Sequence, residues 1–101
     1  EECQPRPDVF IAALGGRSRR LAFEWCCRLA REGVRVEMEF GEKSLKSLMK
    51  SADRMKAAHV LMLGEKELEE QTAVLRNMQT KEQTAVPFNR VVDALKALAR
   101  R

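Results

Sequence analysis

The sequence predicts one α/β domain with an open, mixed β-sheet. Three short strand-like segments each run into a glycine, and segments of helical periodicity lie between them, which is the order that builds a parallel sheet. Two further strand-like segments, separated by a short turn, predict a hairpin after the third strand. The chain has 101 residues, which is enough for one domain and too few for two.

The first strand and the first helix follow from an apolar run and a helical repeat. Val9–Leu14 is continuously apolar and is closed by Gly15, which predicts a buried strand. Ser18 is expected to cap the following helix, and Gly33 is expected to stop it. The apolar face of this helix consists of Leu21, Ala22, Trp25, Cys26 and Leu29. The tryptophan and the four phenylalanines of the chain are expected mainly to pack in the core.

The rest of the chain repeats this order and then adds the hairpin. The second strand is predicted over Val34–Phe40, and Ser44 is expected to cap the second helix. The later predicted elements are strands at 59–64, 72–78 and 82–86 and a closing helix through Val91–Leu98 that ends near Arg100 and Arg101. The segment from Glu65 to Gln71 is predicted as a short polar connection or a single helical turn. Right-handed crossovers then place strand 1 in the middle, strands 2 and 3 on either side, and the hairpin beyond strand 3.

Composition excludes several classes of protein. Hydrophobic residues make up 45% of the chain and charged residues 34%, which argues against general disorder. No apolar run approaches the roughly 20 residues that span a bilayer, and the amino terminus lacks the pattern of a signal peptide. Three cysteines, two of them adjacent at Cys26 and Cys27, favour a reducing compartment. Neither a metal site nor a catalytic centre is expected, because no metal-ligand spacing and no nucleophile–base pattern is present.

The charge pattern indicates an anionic partner that contacts part of the surface. The net charge is +4, and residues 17–56 carry 11 basic and 6 acidic side chains, whereas residues 65–82 carry 3 and 5. Ligands of open α/β sheets bind beyond the carboxyl ends of the strands, where the winding reverses. Here that place lies between the loops at Gly15–Arg17 and Gly64–Glu67, which we expect to be neighbours in space.

Three groups of charged residues are candidates for binding, and each has a plainer interpretation. Arg17 and Arg19 oppose the dipole of the first helix, which indicates either a bound phosphate or a solvated helix end. Glu65 and Glu67 could each accept two hydrogen bonds from the edge of an unpaired guanine, or could lie in a solvated turn. A basic stripe on the second helix, formed by Lys46, Lys50 and Arg54 with Lys43 just ahead of it, either follows an RNA backbone or is the solvated face of that helix.

Several segments, in order, resemble the anticodon-binding domain at the carboxyl terminus of bacterial histidyl-tRNA synthetases. Ser44–Arg54 resembles the SLKxQxKxADK stretch of that family, and His59–Leu68 resembles its LGExE segment. Residues 72–86 resemble its TVxxKDLxxxGEQ hairpin, although Gln79 stands where a basic residue is usual. With the opening DVFIAALG, the resemblance extends from Asp8 to Leu98.

This resemblance implies a fold, a function and partners. It implies a three-layer sandwich of one five-stranded mixed sheet and three helices, with residues 1–7 as a linker and residues 8–101 as the anticodon-binding domain. The domain is expected to hold the anticodon loop of a histidine tRNA, whose bases are GUG, and to need no cofactor. The parent enzyme is expected to be a cytoplasmic homodimer whose class II catalytic core, absent from this chain, uses ATP to join histidine to the tRNA.

The resemblance also implies roles for individual residues. Glu67 and Arg76 correspond to a base-reading Glu and Arg of the related threonyl enzyme, which are also nine residues apart. We therefore expect Glu65, Glu67 and Arg76 to read bases. The residues expected to bind phosphates are Arg17, Arg19, Lys46 and Lys66.

Two other hypotheses stay open from the sequence. The chain could be a synthetase-like regulatory or interaction domain, similar to the regulatory subunit of a histidine-biosynthetic phosphoribosyltransferase, that has lost tRNA specificity. It could also be a small enzyme of flavodoxin-like build, although the phosphate-binding glycine fingerprints are missing.

Overall fold

The computed structural model describes residues 7–39 and 44–99. The strands are β1 (Val9–Ala13), β2 (Val36–Met38), β3 (His59–Leu63), β4 (Thr72–Asn77) and β5 (Gln83–Pro87). The helices are α1 (Gly16–Arg31), α2 (Leu45–Met55), α3 (Glu65–Glu70) and α4 (Val91–Ala99), the last preceded by a 3₁₀ turn at Phe88–Arg90. Phe40, Arg100, Arg101 and all of the proposed linker except Pro7 lie outside the described residues.

The five strands form one sheet in the order β2-β1-β3-β4-β5. β1 lies in parallel between β2 and β3, and β4 and β5 continue the sheet beyond β3 in antiparallel pairing. This is the predicted topology, and it brings the carboxyl ends of β1 and β3 to the same edge. We call this side of the sheet the carboxyl edge.

Alternate residues of the strands face two separate hydrophobic clusters. On one face, Val9 and Ile11 of β1 pack with Trp25 and Leu29 of α1 and with Leu95 of α4. On the other face, Phe10 and Ala12 of β1 and Val60 of β3 pack with Leu48 and Ala52 of α2. The predicted three-layer sandwich is therefore confirmed, with α1 and α4 on one side of the sheet and α2 on the other.

The prediction of three helices was wrong, because the described residues contain four. Glu65–Glu70, expected to be a polar connection or a single helical turn, forms α3, with Glu65 and Glu67 in its first turn, where the helix dipole favours carboxylates. β2 is also shorter than predicted and covers only Val36–Met38.

Two of the three predicted helix boundaries hold. Ser44 caps α2 as expected, since its Oγ accepts a hydrogen bond from the Ser47 N–H at 3.1 Å. Gly33 follows the end of α1 with φ +83°, a conformation that favours glycine. Ser18 does not cap α1, which begins earlier, at Gly16; its side chain is fully buried, and its Oγ has no hydrogen-bond partner among the described residues.

The aromatic residues divide between core and surface. Trp25 is 4% exposed and contacts Phe88 edge-to-face, with ring centroids 5.3 Å apart. Phe10 is fully buried, as predicted. The expectation of packing was wrong for Phe23, which is 51% exposed, because its position in α1 turns it away from the sheet.

Candidate nucleic-acid interface

The two glycine-ended loops at the carboxyl edge lie side by side. The Leu14 N–H donates a hydrogen bond to the Leu63 carbonyl at 2.8 Å, which continues the β1–β3 pairing to the ends of both strands. A Cβ built on Gly64 would lie 3.9 Å from Leu14 Cδ1. The loops that lead into α1 and α3 therefore start next to each other, as predicted. No ion pair joins Arg17 to Glu67 within the described ranges.

The Glu67 carboxylate is held in place by the backbone at the start of α3. Its Oε1 accepts a hydrogen bond from the Gly64 N–H at 2.8 Å, and the side chain is half-buried. This is the acidic half of a capping box, in which the third residue of a helix returns to the backbone of the N-cap. One oxygen of Glu67 is thereby occupied, while no hydrogen bond to Oε2 is present among the described residues.

Gly64 is the N-cap of α3 and so fixes the position of the Glu67 carboxylate. A Cβ at this position would lie 3.2 Å from Glu67 Oε1, so a larger residue would crowd the carboxylate against its own hydrogen bond. The signal was available in the sequence, because Gly64 and Glu67 have the spacing of a capping box with glycine as the N-cap.

Arg76 lies on the face of the sheet rather than at its carboxyl edge. In the β3–β4–β5 register it stands opposite Val60 and opposite Gln83, on the face that also carries α2. Val60 precedes Gly64 by four residues, which is about 13 Å along a strand. Arg76 Nε is buried and has no acceptor in the part of the chain that the structure describes. Arg76 is therefore displaced along the sheet from the level of Gly64.

The residues expected to bind phosphates are divided between the two sides of the sheet. Arg17 and Arg19 belong to the first turn of α1, with Arg17 exposed and Arg19 half-buried. Lys46 is exposed in the first turn of α2, across the sheet from α1. Glu65 and Lys66 are exposed at the start of α3, which follows both of these helices along the chain and begins at the end of β3. The helix starts surround the carboxyl edge and do not form one pocket.

The basic stripe of α2 has side-chain partners at the end that is farther from the carboxyl edge. Arg54 donates a hydrogen bond to Ser51 Oγ at 3.3 Å, and its guanidinium lies 3.9 Å from a Glu39 carboxylate oxygen. Lys46 and Lys50, nearer to the carboxyl edge, are exposed and make no ion pair with a described residue. The Arg54 side chain is nevertheless 70% exposed, so Lys46, Lys50 and Arg54 are all accessible to an anionic ligand.

Comparison with known proteins identifies this arrangement of strands and helices. A family model described as an anticodon binding domain matches residues 8–98. The chain belongs to the anticodon-binding domain family. It is 52% identical over 92 residues to the histidine–tRNA ligase of Desulfatibacillum aliphaticivorans and 48% identical over 83 residues to that of Geobacter sulfurreducens. These alignments cover 91% and 82% of this chain but only 22% and 20% of the relatives' own lengths.

Solved structures support the same family assignment. Apo histidyl-tRNA synthetase of S. aureus superposes with a TM-score of 0.84 and 27% identity, over 90% of this chain and 23% of that one. The RNA binding domain of threonyl-tRNA synthetase from Cryptosporidium parvum gives a TM-score of 0.77 at 14% identity, which shows a shared fold alone. The resemblance drawn from the sequence motifs is confirmed.

The described residues contain neither a cluster that could hold a metal ion nor a helix that could span a membrane. Residues 7–39 and 44–99 contain no group of three His, Cys, Asp or Glu side chains placed to hold a metal ion. No helix within these ranges is long and apolar enough to cross a membrane.

Proposed function

We propose that this anticodon-binding domain grips the anticodon loop of a histidine tRNA on behalf of a histidine–tRNA ligase. The matched relatives carry that name, and the domain covers about a fifth of their length. In this proposal the class II catalytic core, the use of ATP and a homodimeric assembly in the cytoplasm belong to the parent enzyme. The alternative of a regulatory domain without tRNA specificity has no observation in its favour.

The observation that carries the proposal is the fixed Glu67 carboxylate at the carboxyl edge. Its Oε1 is anchored to the Gly64 N–H, which leaves Oε2 to accept a hydrogen bond from an unpaired guanine. The exposed Glu65 supplies a second carboxylate in the same turn. Carboxylates repel phosphates but accept hydrogen bonds from guanine, so acidic residues at this edge favour contact with a base rather than with the backbone.

Arg76 contacts a different nucleotide from Glu67 in this proposal. Its position about 13 Å along the sheet from Gly64 fits a strand of RNA that descends from the edge over β4 and β5. Phosphate contacts from Arg17, Arg19, Lys46 and Lys66 would hold the loop from both sides of the edge without reading its sequence.

The test is binding of the chain to two RNA hairpins that differ only in their anticodon, GUG or CAC, measured by fluorescence anisotropy. We expect tighter binding to GUG, and we expect Arg17→Ala to weaken both hairpins alike and to lower the dependence of binding on salt. Equal affinity for the two hairpins would refute base reading by this domain. An unchanged salt dependence would remove Arg17 from the phosphate contacts.

A further inference from the structure

The outer face of α1 carries arginines that the proposed anticodon site uses only in part. Four of them are exposed and, at 3.6 residues per turn, fall within an arc of about 80°. These four, the α1 arginine stripe, are Arg17, Arg20, Arg28 and Arg31. The stripe runs for about 21 Å along the helix axis. It points away from the sheet, because the side chains that α1 buries lie on the other side of the helix: Ser18, Ala22, Trp25 and Leu29.

The positive charge of the chain is concentrated on this helix. α1 holds five arginines and one glutamate, Glu24, so its side chains sum to 5 − 1 = +4, which equals the net charge of the whole chain. No arginine of the stripe forms an ion pair with a described residue. Elsewhere on the surface, by contrast, the Lys96 Nζ lies 3.3 Å from a Glu32 carboxylate oxygen. The stripe is therefore available to a polyanion.

A shallow hollow with an aromatic wall lies beside the stripe. It is lined by Gly16, Arg19, Arg20, Phe23 and Glu24, and Phe23 is 51% exposed there. An exposed aromatic ring flanked by guanidinium groups suits a nucleotide, whose sugar or base contacts the ring while its phosphate contacts the arginines. The hollow is close to the carboxyl edge, since Gly16 is the first residue of α1.

We propose that the α1 arginine stripe binds the phosphodiester backbone of the RNA duplex that continues from the anticodon loop. The inference rests on the proposed function, because α1 starts at the edge where the loop is held and runs away from it along the sheet. A duplex is a stiff, regularly spaced polyanion, and a straight row of arginines matches it better than it matches a flexible strand. Arginine binds phosphate through its planar fork, which adds geometry to charge.

The experiment compares a hairpin that has both stem and GUG loop with a single-stranded oligonucleotide of the same loop sequence. Binding is measured by fluorescence anisotropy at several salt concentrations for the unmodified chain and for R20A/R28A. We expect the double variant to bind the hairpin about tenfold more weakly and to lower its salt slope by about 1.8, which is about 0.9 for each lost duplex phosphate contact. Binding of the loop oligonucleotide should not change.

Three single variants separate effects on RNA binding from effects on folding. Glu24→Gln removes the carboxylate within the stripe and should strengthen hairpin binding, a gain that a folding defect cannot imitate. Arg28→Ala is matched with Arg35→Ala, because Arg35 is also exposed but lies just before β2 and outside the stripe. Arg28→Ala should lower the salt slope for the hairpin, whereas Arg35→Ala should leave it unchanged.

The outcomes separate this inference from the proposed function. Equal weakening of hairpin and loop binding by R20A/R28A would overturn the inference, and so would unchanged hairpin binding. If R20A/R28A left hairpin binding unchanged but abolished binding to phosphatidylglycerol vesicles, the stripe would bind a membrane surface instead. If the unmodified chain bound the GUG and CAC hairpins equally, and R20A/R28A weakened binding to both, base reading would be refuted while the duplex contact would be supported.

Discussion

Substitutions of Glu67 separate two roles that its carboxylate combines in the proposed function. Oε1 accepts the Gly64 N–H at 2.8 Å and stabilises the start of α3, while Oε2 is proposed to accept a hydrogen bond from guanine. Glu67→Gln retains a carbonyl oxygen for the backbone but replaces the second acceptor with an NH₂ donor. Glu67→Ala removes both groups. The two variants therefore differ in stability and agree in their loss of base reading.

The expected magnitudes follow from the geometry. Loss of a capping hydrogen bond costs about 0.5–2 kcal/mol in unfolding free energy, and each kcal/mol lowers Tm by about 4–8 °C in a domain of this size. Glu67→Ala should show this loss, and Glu67→Gln should keep most of the wild-type stability. Loss of one base-edge contact costs about 1–3 kcal/mol of discrimination, which is roughly 5- to 140-fold in the ratio of GUG to CAC affinity.

The assay combines thermal unfolding by circular dichroism with anisotropy on the GUG and CAC hairpins. Glu69→Gln is the matched control, because Glu69 is exposed on the same helix and its replacement removes the same charge. The control should retain both Tm and the preference for GUG. A Glu67→Gln variant that kept its full GUG preference would refute base reading by Glu67. A Glu67→Gln variant whose Tm fell as low as that of Glu67→Ala would refute capping by the retained carbonyl oxygen.

Two further predictions concern the core. Ser18→Ala should raise the unfolding free energy by about 1 kcal/mol, because the fully buried Oγ has no hydrogen-bond partner among the described residues. Urea denaturation measures this change, and a lower unfolding free energy would show that Oγ has an acceptor. The pKa of the Cys26 thiol is raised from 9.0 to about 11, mainly by burial and then by the nearby Cys27 and Glu37. At pH 8, iodoacetamide should therefore modify the exposed Cys27 faster than Cys26. Since the unfolded state ionises first, the unfolding free energy should fall as pH rises from about 9 to about 11, and Cys26→Ala should remove that part of the decrease.

The topology could be predicted because glycines mark the ends of the parallel strand segments in the sequence. The parallel strands β1 and β3 are apolar because helices cover both of their faces. Gly64 follows β3 directly, and Gly15 follows β1 after one residue. Once two right-handed crossovers are assumed, few strand orders remain. α3 was missed because its six residues are too few to show an apolar periodicity. Its stability comes from a backbone hydrogen bond to Glu67 and from packing next to β4, neither of which periodicity records.

The site could be predicted only where topology alone places residues. The carboxyl ends of β1 and β3 had to be neighbours, and they are. The nine-residue spacing between Glu67 and Arg76 carried no information about distance, because the chain turns back between them and the register of β4 against β3 decides how far along the sheet Arg76 lies. Ser18 failed as a cap for a similar reason: the helix starts two residues earlier, and this turns the hydroxyl into the core.

The layered architecture constrains how an RNA could bind to this domain. α1 and α2 carry their basic residues on opposite sides of the sheet, so no flat surface contains both Arg17 and Lys46. An RNA that used both would have to cross the carboxyl edge, where α3 carries four carboxylates and a single cation, Lys66. Phosphates would avoid that acidic rim, while an unpaired base could approach it. The alternation of charge around the edge thus favours a loop turned with its bases inward and its backbone spread over the two basic helices. The rigid sheet would hold these groups in place before RNA arrives, so that little binding free energy is spent on ordering them.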